Sequence, residues 1–309
     1  MRLYCFESAG RERLGAEVDS RLVDLAAAHA AMSERVTTAP TLAAFPADML
    51  ALVRAGGAAI SAATSTLNLL RQAPTTTTQL FYKFDAVRLR APVRPGKILC
   101  SGVNYRSHQE ENPGAKLPGT PGFFSKLPSA VIGPGEAIVC PRMTTQLDYE
   151  VELAVVIGRT LHKASEAEAI AAIFGYTILH DVSARDIQFK EPQNNQITLG
   201  KNFDTFAPIG PCIVTADELP HPDHLRLRTF VNDQLLQDGS TDQWLFPLPY
   251  LLAFLSQIMT LEPGDIVTTG TPSGVGVFRQ PQRFLQPGDR VCLEIEGIGR
   301  LENAVIAEI

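Results

Sequence analysis

The sequence predicts an α+β protein rich in short strands, with a small N-terminal α/β domain ahead of a larger one. Three observations point there. The chain has 309 residues, enough for one large domain plus a small one. Residues 148–158, DYEVELAVVIG, read as a buried strand rich in β-branched residues and closed by a glycine. Other short strand-like runs lie between Gly- and Pro-rich turns, while helical periodicity is confined to a few stretches, chiefly 47–72, 165–173 and 249–258.

Hydrophobic residues make up 45% and charged residues 19% of the chain, an ordinary composition able to bury a sizeable core. The formal net charge is -6 and no Lys/Arg-rich run occurs, which argues against a nucleic-acid surface. The cysteine count of 5 is odd and no pair has CxxC spacing, so neither a disulfide framework nor a zinc site is expected. That usage fits a reducing compartment. The opening MRLYCFESAGRERLG has no apolar core of a signal peptide, and no run of about 18 apolar residues exists. A cytoplasmic protein without membrane attachment is expected.

In chain order, residues 1–6 and 21–25 are candidate strands separated by Gly10 and Gly15. The helical pattern of 47–72 weakens at Gly56-Gly57, and a Thr run at 75–78 ends it. Residues 1–75 are read as the small N-terminal domain, 76–95 as a connector closing on PVRP, and 96–309 as the main domain. His29, among alanines, has no partner nearby and reads as a surface or packing residue.

The strand at 148–158 carries the first chemical signal. Side chains alternate along a strand, so Glu150 and Glu152 share one face and Val151, Leu153, Val155 and Ile157 the other. Two carboxylates held together in an apolar strand repel and lose hydration, at several kcal/mol per ion on the order of buried-ion penalties. A hard divalent cation offsets that cost. The alternative is an edge strand with two solvated glutamates.

His108 and Glu111 are three apart in GVNYRSHQEE and share a face if helical. A carboxylate beside an imidazole orients it as a general base, although such pairs are also common on helix surfaces. The Pro- and Gly-dense 112–122 that follows is either a loop closing over a ligand or a plain surface loop. GPGE at 133–136 lacks the third glycine of a dinucleotide fingerprint and reads as a turn.

Residues 175–180 form a strand ending at Asp181, whose carboxylate, on local signals, caps the helical turns of 182–188. Arg185 and Gln188 there face the same way, Asp186 pairs on the surface, and His180 alternates away from Asp181. Lys201 stands between a glycine and an aromatic region and by itself reads as solvated. His221 and His224 lie in a polar loop with no third ligand and read as surface. Residues 226–232 and 234–238 form a hairpin turning at Asn232-Asp233, and Pro-Gly-Asp turns at 263–265 and 287–289 each lead into a strand. Between those turns, TGTPSGVG (269–276) has glycines that let backbone N–H groups approach an anion, with the Thr271 hydroxyl beside them. It is not a GxSxG elbow, and there is no HExxH.

Taken together, GVNYRSHQEE, FFSK, LDYEVELAVVIG, HDVSARDIQ, GKNFDTFAPIGP, LEPGDIVTTGTPSGVG and the closing PGD–strand–GIG segment resemble the fumarylacetoacetate hydrolase family, over residues from about 96 to the end. The resemblance implies a mixed β-roll catalytic domain, usually dimeric, that works with a divalent metal. It implies Glu150, Glu152 and Asp181 as metal ligands, which reverses the local preference for Asp181 as a cap. It implies His108 and Glu111 as the catalytic pair with Lys201, and Arg185, Gln188 and Thr271 as substrate contacts. One departure stands out. A fourth carboxylate of the true fumarylacetoacetate hydrolases falls on Ser101 here, which favours the smaller acylpyruvase-like branch and its 2-hydroxyhepta-2,4-diene-1,7-dioate isomerase-like members.

An all-oxygen site suits Mg²⁺, Mn²⁺ or Ca²⁺ rather than zinc. The expected reaction is hydrolysis of a C–C bond in a 1,3-dicarbonyl 2-oxo acid of acylpyruvate or fumarylpyruvate type. In it His108 takes a proton from water, and Lys201 and Gln188 stabilise developing negative charge. The alternatives are a 2-oxo acid decarboxylase or dienoate isomerase of the same family and, from another class, a metal-bound protein without catalysis. The expected partner is a small anionic 2-oxo acid, and the expected assembly a homodimer.

Overall fold

The computed structural model describes residues 1–32, 45–72, 79–112, 116–191 and 195–309. The Thr run at 75–78 and residues 113–115 of the Pro/Gly-rich loop lie outside the described residues.

A 12-stranded mixed sheet organises the chain. At its centre Val151–Ile157 lies between Ile173–His180 and Ile266–Thr268, antiparallel to both. All of its residues are buried, so the edge-strand alternative does not hold. The alternation is as expected. Val151, Leu153, Val155 and Ile157 enter one core, together with Leu227, Leu293 and Val305 of a 5-stranded sheet packed opposite. Ala154 and Val156 enter a second core with Leu3, Leu25 and Leu52. Glu150 and Glu152 continue this second face at the strand's N-terminal end.

The N-terminal segment is built into the same sheet. Arg2–Ser8 pairs with Ala207–Thr215 on one side and with Arg11–Val18 on the other, and Arg21–Asp24 follows outward. The strand at Arg11–Val18 and the helix Leu25–Met32 carry too little periodicity to be read in advance. The helical run near 47–72 divides at Gly56, whose φ is 58°, into Met49–Ala55 and Gly57–Gln72. These two helices bend by 111° from one another. Among the described residues no single helix is long and apolar enough to cross a membrane, although this bent pair passes by length and composition together.

Several expected turns form as read. Asn232 and Asp233 take φ of 50° and 66° between Arg226–Val231 and Gln234–Ser240, the geometry of a type I′ hairpin turn. Gly264 and Gly288, of the two Pro-Gly-Asp turns, take φ of 92° and 99°. Ser165 and Glu168 form a capping box at the head of Glu166–Ala171.

The long strand starts later than its apolar pattern suggests. Leu147–Asp148 leaves the main sheet and pairs with Ser183–Ala184 instead. Asp148 is fully buried, and its carboxylate accepts from Arg185 and from the Gly276 and Val277 amides.

Candidate functional site

The register of two central strands assembles the site. Val151 pairs with His180, so the residues just beyond, Glu150 and Asp181, meet at the strand ends, and the Asp181 N–H donates to the Glu150 carbonyl at 3.0 Å. Glu152 shares the face of Glu150. One oxygen from each of Glu150, Glu152 and Asp181 lies within 4.8 Å of the others, and all three residues are buried. Asp181 caps no helix. The N-cap position of Arg185–Gln188 belongs to Ala184, and the Asp181 carboxylate turns to two lysines instead.

Lys201 is buried, not solvated as its local sequence suggests, because two carboxylates hold its ammonium in place of water. It donates to Glu150 Oε2 at 2.8 Å and to Asp181 Oδ2. Lys126, fully buried, donates to Asp181 Oδ1 at 2.6 Å and to the Val182 carbonyl at 3.1 Å. Arg185 spreads its guanidinium over three acceptors: Nε to Asp148 Oδ2 at 2.8 Å, Nη1 to Gln188 Oε1 at 3.1 Å, and Nη2 to Glu150 Oε1.

The consequences differ across the triad. Burial pushes the Glu150 carboxyl up, but the Arg185 guanidinium and Lys201 ammonium outweigh it and hold Glu150 well below the usual carboxylate range. Glu152 has no such escort. Burial first, then the charges of Asp181 and Glu150, push it well above its ordinary value. Its Oε2 is buried without a hydrogen-bond partner. A buried acceptor without a donor is costly. Three carboxylate oxygens this close, one of them unpartnered, make a hard-oxygen set that fits a divalent cation. Burial also sends His180 down to about 3, so this histidine is a neutral packing residue at the sheet end.

His108 and Glu111 lie on the short helix Arg106–Glu111 and pair as expected, Nδ1 to Oε1 at 2.6 Å. With Nδ1 engaged, Nε2 is the nitrogen left for chemistry. Glu111 has its other oxygen fixed by the Gly274 N–H at 2.7 Å. His108, Glu150, Glu152, Arg185, Gln188, Lys201 and Thr271 all line one cavity of about 320 Å³, together with Ser101, Phe124 and Phe278. Glu111 stands behind His108, and Asp181 beneath Glu150 and Lys201.

The glycine-rich loop works differently from the sequence expectation. Its amides are taken by anions of the protein itself: Gly274 by Glu111, and Gly276 and Val277 by Asp148 at 2.7 and 3.1 Å. They brace other residues rather than cradling a ligand. Thr271 does face the cavity, and its Oγ1 accepts from Gln237 Nε2 at 2.9 Å, which leaves its own O–H free to donate into the cavity.

Sequence reading missed three supporting residues. Lys126 sits in FFSK, where a strand lysine has no local mark of burial. Asp148 continues the apolar strand pattern in sequence, with no local mark that the chain leaves the main sheet there. Gln237, in the hairpin, accepts from the Val151 N–H at 3.1 Å and from Thr229 Oγ1 at 2.7 Å.

Residues 97–306 match the family model described as fumarylacetoacetate hydrolase, C-terminal. The chain belongs to this family. It is 42% identical over 243 residues to a Bos taurus protein named oxaloacetate tautomerase FAHD2B, mitochondrial, covering 78% of this chain and 76% of that one. Among solved structures, a fumarylacetoacetate hydrolase from Exiguobacterium antarcticum superposes with a TM-score of 0.78 at 35% identity, over 100% of both chains. A maleylpyruvate hydrolase from Sphingobium, solved with manganese(II) and pyruvate, gives 0.73 at 30% identity, again over 100% of both. Members of the family are enzymes of hydrolase, isomerase and tautomerase types.

Proposed function

We propose that this protein is a divalent-metal-dependent enzyme that moves a proton at the carbon beside the ketone of a small 2-oxo acid, interconverting enol and keto forms. The observation that carries this reading is that a single imidazole, oriented by Glu111, lines the same small cavity as the glutamates of the triad. Glu150, Glu152 and Asp181 hold the cation, with Mg²⁺ or Mn²⁺ the fitting ions. Bound there, such an ion supplies Lewis acidity that makes the neighbouring C–H acidic.

The residues of the chain do the rest. His108 Nε2 carries the proton between carbon and solvent, and the Glu111 carboxylate stabilises the imidazolium form. Gln188 and the Thr271 hydroxyl donate hydrogen bonds that orient the substrate. Arg185 and Lys201 keep Glu150 ionised. Phe124 and Phe278 exclude water from its walls. The likeness to an oxaloacetate tautomerase supports oxaloacetate as the first substrate to try. A homodimer in the cytoplasm, or another reducing compartment, belongs to the same reading.

The likeness to a maleylpyruvate hydrolase favours a second reading, C–C hydrolysis of an acylpyruvate, in which His108 takes its proton from water. The experiment follows enol absorbance of oxaloacetate and consumption of acetylpyruvate in parallel, with Mn²⁺, for wild type and His108→Ala. Accelerated ketonisation abolished by His108→Ala supports the first reading. Cleavage of acetylpyruvate alone replaces it with the second, and no turnover of either overturns both.

A further inference from the structure

We infer that Asp148 is a positioning residue that couples the two ends of the active site through the glycine-rich loop, an inference that rests on the function proposed above. The carboxylate is fully buried and saturated with donors. Oδ1 accepts from the Tyr149 N–H at 2.9 Å and the Gly276 N–H at 2.7 Å, and Oδ2 from Arg185 Nε at 2.8 Å and the Val277 N–H at 3.1 Å. One anion therefore joins the guanidinium that holds Glu150 to the backbone of the loop.

The same loop reaches the other end. Two residues before Gly276, the Gly274 N–H holds Glu111, the partner of His108. One residue after Val277, the Phe278 ring lies 6.0 Å from the His108 ring. The imidazole is thus held by loop contacts on either side of the two amides that Asp148 fixes. The fit at Gly276 is close: a Cβ there would stand 2.5 Å from Asp148 Oδ1 and would strike the Arg283 carbonyl. A larger residue would part the loop from its anchor.

Among the described residues Asp148 makes no hydrogen bond to His108 or Glu111, and the hydrogen-bonded route from it to the base runs through residues 274–278. Replacing Asp148 with Asn keeps the shape and removes the charge that holds Arg185 and the two amides. Displacement of a catalytic group by about 1 Å costs on the order of 10²-fold in rate. The expected result for Asp148→Asn is a kcat loss approaching that size with KM changed by only a few-fold.

A double-mutant cycle decides the matter. Asp148→Asn, Glu111→Gln and their combination are assayed for oxaloacetate ketonisation with Mn²⁺, beside hydrogen exchange over residues 270–282. Coupling predicts that Glu111→Gln costs clearly less in the Asp148→Asn background than in wild type, and that Asp148→Asn loosens exchange across the loop, Gly274 included. Strictly additive kcat losses overturn the inference, because a merely structural role lowers both backgrounds alike. Should the wild type not turn over oxaloacetate, the proposed function fails, and exchange alone then decides the coupling: unchanged protection at Gly274 overturns it. If Asp148→Asn does not fold, Gly276→Ala strains the same bond from the loop side and takes its place in the cycle.

Discussion

The two ends of this site are built on opposite plans. Glu150, Glu152 and Asp181 stand at the ends of central strands, in a sheet whose flanking cores fix both faces. All three are buried, and Glu150 and Asp181 are bound to three buried cations. His108 and Glu111 ride on a helix of 6 residues with no buried side chain of its own, and they keep 12% and 16% of their side-chain surface exposed. The first end is costly to assemble and rigid; the second is cheap to assemble and depends on a loop for its aim. Substitutions at the first end should therefore register in stability as well as activity, and those at the second almost wholly in activity.

The largest effect is expected for Glu150→Ala. It removes the acceptor shared by Arg185 and Lys201 and leaves buried positive charge short of a partner. Breaking a buried ion pair on one side costs about 3–5 kcal/mol, so unfolding by denaturant should show a loss of that order. Calorimetry should at the same time show no Mn²⁺ uptake. A variant of wild-type stability would mean that the two cations find other partners and that the sheet end is softer than its burial suggests.

Lys126→Met comes next. Asp181 keeps Lys201, but it and the Val182 carbonyl lose a buried donor. An unsatisfied buried acceptor costs about 1–3 kcal/mol. Burial already lowers the Lys126 pKa, although Asp181 opposes the shift, so part of the loss is offset by removing a poorly solvated ammonium. The expected outcome is a thermal midpoint between those of wild type and Glu150→Ala. A drop as deep as that of Glu150→Ala would show that Lys126, not Lys201, is the main support of Asp181.

These residues also mark how far the sequence could be read. The triad strand, the His108–Glu111 pair and the hairpin at Asn232-Asp233 were legible as placements because each rests on a local pattern: alternation, helical spacing, left-handed turn residues. Lys201 and Asp181 were not legible from their neighbours. Their burial depends on ion partners dozens of positions away, and only resemblance to a family placed them in the site. Lys126 escaped even that, since nothing in FFSK marks the lysine as the buried one. The glycine loop was half read. Its amides do meet anions, but those anions, Asp148 and Glu111, belong to the protein and arrive from distant segments.

A smaller effect comes from pH. Burial and the charges of Asp181 and Glu150 raise the Glu152 carboxyl well above its ordinary value. The folded protein therefore holds a proton there that the unfolded chain releases near its ordinary pKa of about 4.3. The native state binds more protons than the unfolded state between those two values, so stability falls as pH rises through that window. A divalent ion binds the ionised form and should offset the loss. Without metal, the wild type should lose thermal stability relative to Glu152→Gln as pH rises above the ordinary carboxylate range, and Mn²⁺ should narrow the gap. A gap that does not depend on pH would mean that Glu152 is already ionised and that its unpartnered oxygen is stabilised in another way.

The smallest effect on stability belongs to His108→Ala, and it tests the contrast most sharply. The substitution removes one hydrogen bond to Glu111 and the ring contact with Phe278, both at a partly exposed position. Glu111 keeps the Gly274 amide. The stability cost should be about 1 kcal/mol or less, the net worth of a single ordinary hydrogen bond. Turnover, by contrast, should fall by about 10²–10⁴-fold, the usual contribution of a general base. Mn²⁺ uptake should be unchanged, because the three carboxylates and their cations are untouched. If His108→Ala weakened Mn²⁺ binding as much as it slowed turnover, the two ends would not be separable. The imidazole would then belong with the buried charges, and the division between a rigid sheet end and a loop-aimed base would be wrong.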